Sequence, residues 1–589
     1  MTGDYEARAG VILDRSWLEE IGGRTPVLLL APHGGRADPK ARRLVNPKVN
    51  DLHTAEITRE LARHIGASAL INSALDRNRV DLNRMAQLVA HAPWFLELIA
   101  QRVRAIVERH GRAIVLLIHG WNVIAPRLDI GIGVRRHGGE LRPAGLARVS
   151  ASDDFINGPL AHLGRSLAAR DIPATFGLRY PAGGAQNLLQ AFTDRHLESP
   201  LPTLRELSAL AARGAIEAAQ LELSVALRLP GGPRERCIAA MVESFGDTGR
   251  GDSAPVLPHL RVVRTPDIRS ALPAKRPPTA APASRVGIEC FAPDARVGAM
   301  ASFDLGPGGV GARIMLLLPE GRVALFTNEG KTRLKGARAS LGPLVFEARG
   351  RRLALRFRGA MVTVPDATSY LVLERALSSA RLDESAEVEL ELDPYPGEAE
   401  PQAFFREHAG QWDPVATSAF GRLAGEIRAD GFRCALGGFG RAGLSFTSLG
   451  TMRFTSRRML WACFGEGSWP LALEIRTHAD ADATEHANVR VLNSRGWSAF
   501  DTVRVELETR SPAAPPEHLS ATFAGDGVSA HKLVGEVENF VPLSRPGPAN
   551  TRVFTSLGFA RFRLGAREGG GLFEYSRRDD LATQAPTRQ

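Results

Sequence analysis

The feature that constrains the fold most is a change in the spacing of apolar residues along the chain. Up to about residue 230, short β-rich runs alternate with longer segments in which apolar residues recur three and four positions apart. In the later half the period becomes two, as in Leu353, Leu355 and Phe357, and glycine-rich turns separate the runs. The first pattern predicts alternating strands and helices, and the second predicts antiparallel strands. We therefore expect more than one hydrophobic core.

The length and composition of the chain indicate that it folds into more than one globular domain. The chain has 589 residues, of which 44% are hydrophobic and 23% charged, and one core rarely supports such a length. The pattern predicts an α/β domain over residues 1–264, a Pro/Ala-rich linker over 265–285, an all-β region over 286–577, in one piece or in halves at about 286–400 and 401–577, and a polar tail over 578–589.

Repeated strand–helix units define the expected first domain. The predicted strands are 26–30, 68–72, 113–119, 173–180 and 219–225, and the predicted helices are 54–64, 93–110, 154–169 and 203–213. Such units build a mostly parallel sheet with helices on both faces. For the later half, short alternating runs favour an antiparallel sandwich or barrel.

Charge and cysteine usage exclude several classes of protein. The net charge is +10, but the basic residues are scattered, so we expect no nucleic-acid partner. No apolar run reaches the roughly 20 residues of a membrane span, and the N-terminal segment MTGDYEARAG has no features of a secretory signal. We expect a cytoplasmic protein whose four cysteines are reduced thiols. The oligomeric state is not predicted.

Three residues at the edges of predicted elements are candidates for metal binding. His33 follows the first predicted strand in APHGG, Glu56 lies near the start of a helix, and His119 ends the apolar run AIVLLIH. Ligands of α/β sheets bind at the carboxyl ends of strands, and a His, Glu, His set with an open fourth position suits catalytic zinc. Singly, each histidine also fits a hydrogen-bonded core or loop residue, and Glu56 fits a solvated helix carboxylate.

Glu222 is the candidate catalytic carboxylate. It lies in AAQLELSVAL, an otherwise uncharged and largely apolar run. A carboxylate on a buried strand is costly unless a partner or a reaction uses it. Two interpretations are open: a carrier of protons in catalysis, or an ion pair with an arginine such as Arg228.

Two polar segments are candidates for substrate binding. Guanidinium groups bind carboxylates through paired hydrogen bonds, and LDRNRVDLNR is dense in such donors, with Asp81 placed to orient them. The alternative is a charged loop with internal salt bridges. In RYPAGGAQN, two glycines allow close backbone approach. The candidates in these two segments are Arg77, Arg79, Asn83, Arg84, Gly183, Gly184 and Asn187.

The ordered string of APHGG, an acidic helix start, LDRNRVDLNR, IHGW, RYPAGG and AAQLELSVALR resembles the N-formylglutamate amidohydrolase family, which is related to the zinc carboxypeptidases. The resemblance covers about residues 25–230, and phage enzymes that cut poly-γ-glutamate have a similar arrangement. It implies a zinc carboxypeptidase-like α/β fold and one Zn²⁺ per chain. The implied roles are zinc ligands for His33, Glu56 and His119, catalysis for Glu222, and substrate binding for Arg77, Asn83, Arg84, Gly183, Gly184 and Asn187.

The chain departs from the family pattern in two places. Leu117 occupies the position, two residues before the last histidine, where the family usually has an acidic residue that would orient a metal-bound imidazole. The stretch between Gly184 and Glu222 is also long, which predicts an altered pocket. At the other end of the chain, the final strands with Glu574 and Tyr575 faintly resemble double-lipocalin-like relatives of carotenoid hydratases.

These patterns lead to two functional hypotheses of different classes. The first is a zinc-dependent hydrolase of an amide bond in a carboxylate-bearing N-acyl amino acid or γ-glutamyl peptide, with a hydrolase of polymer or cell-wall amides as its variant for larger substrates. The alternative is a protein whose β region binds a lipid-like or isoprenoid ligand and whose α/β domain is weakly active or inactive.

Overall fold

The computed structural model describes most of the chain, with gaps. The described residues are 12–38, 47–137, 139–246, 260–262, 283–304, 311–330, 332–398, 418–447, 455–465, 471–479, 485–500, 502–508, 511, 514–525, 530–546 and 551–579. The chain divides into two compact units, Met1–Pro278 and Thr279–Gln589. Apart from residues 283–285, the expected linker over 265–285 lies outside the described residues, as does the expected tail from residue 580.

A seven-stranded mixed sheet forms the centre of the first unit, with the order β1-β3-β2-β4-β9-β5-β8. The strands of this unit, including the small sheet β10-β7-β6, are β1 Leu18–Ile21, β2 Val27–Ala31, β3 Ser68–Asn72, β4 Ala113–Gly120, β5 Leu128–Gly131, β6 Val134–His137, β7 Glu140–Pro143, β8 Ala174–Phe176, β9 Ile216–Leu223 and β10 Arg261–Val262. Four of the six neighbouring strand pairs are parallel, as expected for a mostly parallel sheet. The sheet is mixed because β1 pairs antiparallel with β3 and β5 antiparallel with β9.

Helices cover both faces of this sheet. They are α1 Thr54–Ile65, α2 Met85–His91, α3 Pro93–His110, α4 Asp153–Phe155, α5 Ala161–Ala168, α6 Pro202–Ala212, α7 Val225–Arg228 and α8 Gly232–Phe245, with shorter helical turns at Ile156–Leu160, Leu188–Phe192 and Asp194–His196. Successive residues of β2 enter opposite cores: Leu29 packs in the cluster that contains α1 residues, and Leu30 in the cluster that contains α3 residues. Both faces of the strand are therefore buried, as its continuous apolar run predicts.

Two predicted elements differ from the structure for identifiable reasons. The strand expected over 173–180 ends at Phe176, because the backbone N–H groups of Leu178 and Arg179 donate to the carboxylate of Asp129 rather than to a strand. The helix expected over 154–169 contains a π-helical turn at Ile156–Leu160 that includes Pro159, and proline has no N–H to donate.

The second unit consists almost entirely of antiparallel sheets. Its strands are β11 Ala283–Ala292, β12 Val297–Asp304, β13 Ala312–Leu317, β14 Val323–Asn328, β15 Arg333–Lys335, β16 Arg338–Leu341, β17 Leu344–Arg349, β18 Arg352–Val364, β19 Arg381–Pro394, β20 Ser418–Ala429, β21 Phe432–Thr447, β22 Ser456–Phe464, β23 Ala472–Ala479, β24 Glu485–Asn493, β25 Gly496–Phe500, β26 Thr502–Glu508, β27 His518–Ala524, β28 His531–Pro546, β29 Arg552–Leu564 and β30 Arg567–Asp579. Short helices occur at Pro319–Gly321, Ala367–Leu371 and α9, Leu373–Ser378.

The strands of this unit form two sheets. Strands β11 to β21 make an 11-stranded sheet, in which the pairing of β14 with β18 closes eight strands into a ring. Strands β22 to β30 make a nine-stranded sheet. The first sheet ends at residue 447 and the second begins at residue 456, whereas a division was expected near residue 400. Strands β20 and β21 belong to the first sheet because β20 pairs with β19 and β21 with β11. This agrees with the expected antiparallel all-β class and its barrel-like closure.

A membrane-spanning helix is absent from the described part of the chain, since none of its helices combines the necessary length and apolarity. The four cysteines are free thiols, and three of them are buried.

Candidate metal centre

His33 is positioned by the first core strand of the first unit. Strand β2 is buried along its whole length, and His33 follows two residues after it with 1% exposure. The glycines after it permit tight packing: a Cβ on Gly34 would approach the Cβ of Ala55 to 2.9 Å and the carbonyl oxygen of Asn72 to 2.6 Å. The APHGG segment therefore presses against helix α1 and the end of β3.

Two imidazoles and one carboxylate meet at the carboxyl end of this sheet. Nδ1 of His33 and Nδ1 of His119 lie 3.3 and 3.1 Å from the same atom, Oδ2 of Asp51. All three side chains are buried, and one ligand atom from each lies within 4.8 Å of the others. We call His33, Asp51 and His119 the donor cluster.

The hydrogen bonds of His33 place a proton or a cation between its Nδ1 atom and Asp51. Its Nε2 lies 2.7 Å from Oδ1 of Asp81, an oxygen that can only accept when ionised, so Nε2 carries a hydrogen. The other ring nitrogen, Nδ1, then faces the acceptor Oδ2 of Asp51. Two acceptors at this distance need a proton or a metal ion between them. An imidazole whose second nitrogen donates to a carboxylate is the usual arrangement of metal-binding histidines.

The chemistry of the donor cluster fits Zn²⁺. Two imidazole nitrogens with one carboxylate oxygen are a donor set that zinc accepts in catalytic sites, where a fourth position stays open for water or substrate. The backbone holds Asp51 in place: its N–H donates to the carbonyl of His33 at 2.9 Å, and its own carbonyl accepts from the Thr54 hydroxyl at 2.6 Å. Between them His53 adopts a left-handed φ of 67°, where the chain turns into α1.

The prediction that Glu56 is the third metal ligand needs correction. Glu56 lies in the first turn of α1 with an exposed side chain and does not join the donor cluster. Its position is the common one for a carboxylate that stabilises a helix N-terminus. Asp51, five residues earlier in the loop before the helix, is the carboxylate that the fold brings to His33 and His119.

Arg77 and Asp81 surround the donor cluster with charge. The Arg77 guanidinium donates to Oδ1 of Asp51 at 3.1 Å and lies 3.8 Å from Asp81. Although burial raises the pKa of Asp51, Arg77 and the hydrogen bonds of the two histidines hold it well below its usual value. Burial likewise opposes ionisation of Asp81, but His33, Arg77 and Lys48 lower its pKa. Arg77 is thus paired with Asp51 of the donor cluster and lies near Asp81.

Glu222 lies beside the donor cluster on the neighbouring strand. In the pairing of β4 with β9 it is the partner of His119, and on its other side it is the partner of Asp129 on β5. Burial raises the pKa of Glu222 to about 7, against the lowering effect of His119. The alternative of an ion pair with Arg228 does not describe the geometry, because Arg228 donates to the backbone carbonyls of Leu223, Leu52 and Trp121.

One ring nitrogen of His119 lacks a hydrogen-bond partner in the part of the chain that the structure describes, which corresponds to the presence of Leu117 in place of an acidic residue. Nε2 of His119 is buried and has no hydrogen-bond partner among the described residues. Leu117 lies two residues earlier on β4, in the apolar core. The acidic partner that would orient this imidazole is therefore missing, and its orientation depends on Asp51 and on strand pairing.

The predicted substrate residues lie in two loops that contact each other. Arg84 and Asn187 form an isolated β-bridge, and the N–H of Leu188 donates to Oδ1 of Asn83 at 3.2 Å. The side chain of Arg84 is 51% exposed, with Nε 4.0 Å from Oδ2 of Asp81. Arg84 therefore presents a guanidinium to solvent close to the carboxylate that holds His33.

The remaining candidates differ in accessibility. Gly184 is exposed with open space around it, whereas a Cβ on Gly183 would meet Ala147 at 2.8 Å, so Gly183 serves packing between loops. Arg79 is exposed. Asn187 is 9% exposed and directs its amide towards Gln220 at 3.1 Å.

Sequence reasoning missed three residues around the donor cluster. Asp51 lies in the loop three residues before α1, and the residue pattern there does not distinguish it from Glu56 as a ligand. Lys48 lies in the same loop, with Nζ 3.0 Å from Asp81. Gln220, whose Nε2 lies 2.7 Å from Oε1 of Glu222, was visible as a polar residue two positions before Glu222 in an otherwise largely apolar run.

Comparison with known proteins gives only weak likenesses. No family model matches the chain, and no curated protein matches it. Similar solved structures include a protein assigned as AttH from Nitrosomonas europaea (13% identity, TM-score 0.34, covering 50% of this chain and 92% of that one). Kievitone hydratase from Nectria haematococca has 10% identity, a TM-score of 0.29 and coverages of 51% and 90%.

A third similar structure is N-formylglutamate amidohydrolase from Ralstonia eutropha. It has 12% identity and a TM-score of 0.26, and the alignment covers 39% of this chain and 95% of that protein. None of these likenesses is high enough to assign a fold or an activity to this chain.

Proposed function

We propose that the first unit is a zinc-dependent hydrolase that cleaves an amide bond in a carboxylate-bearing N-acyl amino acid or γ-glutamyl-type substrate. The observation that supports this most is the convergence of two imidazole nitrogens on one carboxylate oxygen, 3.3 and 3.1 Å away, in a buried position beside Glu222. The arrangement places candidate metal ligands and a candidate proton carrier side by side. A histidine with a purely structural role would not need a second histidine and a buried glutamate beside it.

The proposed chemistry divides between the metal and the protein. A zinc ion held by His33, Asp51 and His119 would polarise the scissile carbonyl and lower the pKa of a water molecule. Glu222 accepts the proton of the attacking water and delivers it to the leaving amine. Burial raises the pKa of Glu222 above its ordinary value, which favours a carboxylate that can both take up and release a proton.

The acidic substrate class follows from the charges near the donor cluster. The side chains of Lys48 and Arg84 are half exposed, and each has a nitrogen within 4.0 Å of Oδ2 of Asp81. The other oxygen of Asp81, Oδ1, contacts His33. A substrate carboxylate bound by these two groups lies close to the cluster. Asn83 belongs to the same segment, and its side chain supports the loop of Asn187. We therefore assign carboxylate binding chiefly to Arg84, with Lys48 beside it.

The experiment for this proposal is a hydrolysis screen of the full chain after dialysis against chelator and reloading with zinc. The substrates are N-formyl and N-acetyl derivatives of glutamate, aspartate and leucine, together with γ-glutamyl dipeptides. We expect zinc-dependent release of free amine from the acidic compounds and much slower release from the leucine derivatives. Equal turnover by the zinc-free protein, or no turnover of any compound, would contradict the proposal.

A second candidate function rests on the second unit. A cleft of about 780 Å³ lies between its two sheets, with Leu423, Phe439, Val534 and Phe562 among its lining residues. This volume suits an organic ligand, and an amphipathic lipid or isoprenoid would match apolar side chains flanked by charged ones. Mass spectrometry of solvent extracts from the purified protein tests it. A stoichiometric lipid would support this candidate, and a ligand-free extract that also shows no uptake of added isoprenoid alcohol would oppose it.

A further inference from the structure

A hydrogen-bonded chain of buried side chains connects the loop of Asn187 to Glu222. Nδ2 of Asn187 donates to Oε1 of Gln220 at 3.1 Å, and Nε2 of Gln220 donates to Oε1 of Glu222 at 2.7 Å. Asn187 is 9% exposed, and Gln220 and Glu222 are less than 5% exposed. Buried polar groups in such a chain are costly to leave unpaired, so the bonds restrict the side-chain orientations.

A backbone group sets the direction of the whole chain. Oδ1 of Asn187 accepts from the N–H of Leu189 at 2.8 Å, and a backbone N–H can only donate. The amide of Asn187 must therefore direct its NH₂ group to Gln220. Gln220 in turn must accept through Oε1 and donate through Nε2, so that Oε1 of Glu222 is held as an acceptor.

The outer end of the chain is joined to the loop that carries the proposed carboxylate-binding residues. Asn187 forms the β-bridge with Arg84, and its neighbour Leu188 donates to Asn83. One more bond, from the N–H of Met85 to the carbonyl of Gln186 at 2.8 Å, joins the same two segments. Contacts at Arg84 are thus connected to Glu222 through two amide side chains.

We infer that Gln220 is a positioning residue, which holds one oxygen of Glu222 as an acceptor and links the orientation of this carboxylate to the loop of Asn83, Arg84 and Asn187. This inference rests on the proposed hydrolase function. Because Oε1 accepts from Gln220, Oε2 is the oxygen that this bond leaves free for proton transfer. A substrate carboxylate on Arg84 then acts on catalysis as well as on binding, because it steadies the segment that orients Glu222.

The first test removes the chain without changing side-chain length. Gln220→Met should lower kcat about 10- to 100-fold, the range typical of partners that orient catalytic groups, with KM within about twofold and zinc content unchanged. The matched control is Gln190→Met. The side chain of Gln190 is also buried, but its hydrogen bonds within the described part of the chain go to backbone groups of Arg148 and Ala182. This variant should lower the melting temperature comparably and leave kcat within about twofold.

A change of one atom tests the direction of the chain. Asn187→Asp keeps the oxygen that accepts from the N–H of Leu189 but replaces the NH₂ group that faces Gln220 by a second carboxylate oxygen. Because that oxygen can only accept, the Gln220 amide must turn its NH₂ group towards it and its oxygen towards Glu222. We expect kcat to fall in the wild-type background and to fall no further when Gln220→Met is already present. Equal losses in both backgrounds, or a kcat unaffected by Gln220→Met, would overturn the inference.

A readout without turnover separates this inference from the proposed function. In protein labelled with ¹⁵N-glutamine, the side-chain amide of Gln220 is identified by its absence from Gln220→Met. Its signal should be protected from hydrogen exchange and should shift in both Asn187→Asp and Glu222→Ala. If the zinc-loaded protein hydrolyses nothing, the proposed function fails while this result still stands. A signal that neither substitution shifts would show that the chain of bonds does not exist.

Discussion

His119 and Glu222 are direct partners across the adjacent parallel strands β4 and β9. Their separation is therefore set by backbone pairing in a buried sheet rather than by a loop. Sites built on regular elements hold their geometry more firmly than sites on loops. The metal-binding imidazole and the proton-carrying carboxylate of the proposed mechanism thus share one rigid support.

The identity of the third metal ligand is tested by a pair of carboxylate substitutions. Asp51→Asn should reduce zinc affinity by more than the roughly 10- to 100-fold typical of an outer-shell partner, because the proposed mechanism makes Asp51 a ligand of the metal. Glu56→Gln should bind zinc as the wild type does, since Glu56 is exposed on α1. Competition with a colorimetric chelator measures both affinities. Loss of zinc in Glu56→Gln with retention in Asp51→Asn would reverse the assignment.

The role of Glu222 predicts a separation of metal binding from turnover. Glu222→Gln keeps the size and the bond to Gln220 but removes the ionisable group. We expect full zinc content and a kcat lower by at least about 100-fold, within the range of general acid–base catalysis. Steady-state kinetics with metal analysis on the same sample measures this. A variant that turns over at the wild-type rate would remove Glu222 from the mechanism.

Arg84 is predicted to select acidic substrates. Arg84→Ala should raise KM for N-acyl glutamate and leave the leucine derivative unaffected, because only the former offers a second carboxylate to the guanidinium. The control is Arg79→Ala, an exposed arginine of the same segment. Parallel loss of both substrates in Arg84→Ala, or an equal loss in Arg79→Ala, would argue against a specific carboxylate contact.

Part of the fold follows directly from the strongly apolar runs of the sequence. Strand β3 agrees with its prediction at both ends, and β4 at its start, because continuous apolar runs leave little freedom in strand assignment. His33, His119 and Glu222 inherit their positions from such strands.

The third ligand could not be assigned in this way. Asp51 lies in a loop whose direction depends on the left-handed backbone of His53 and on a hydrogen bond to His33, which is 18 residues earlier in the chain. The strand expected over 173–180 failed for a similar reason, since its N–H groups pair with Asp129 from another strand. Local patterns do not encode such long-range pairings.

Glu398 predicts a pH dependence of stability in the second unit. Burial raises its pKa from the ordinary value of 4.5 to about 7, and Oε1 has no hydrogen-bond partner among the described residues. Between pH 4.5 and 7 the carboxyl of Glu398 stays protonated in the folded protein but is ionised in the unfolded chain. The free energy of unfolding should therefore fall by about 1–3 kcal/mol as the pH rises through this range, and change little above it.

The measurement for this prediction is the melting temperature at several pH values. Glu398→Gln cannot ionise, so the wild type should lose more stability than this variant between pH 5 and 8. Parallel pH profiles for the two proteins would show that Glu398 ionises normally in the folded state.

The most direct test of the metal-dependent mechanism is the zinc content of the purified full chain, measured by plasma mass spectrometry for the wild type and for His33→Ala combined with His119→Ala. The proposed mechanism predicts about one zinc per wild-type chain, none in the double variant, and hydrolysis that chelator abolishes and added zinc restores. Wild-type protein that takes up no zinc, or that hydrolyses its substrate fully without it, would contradict the mechanism.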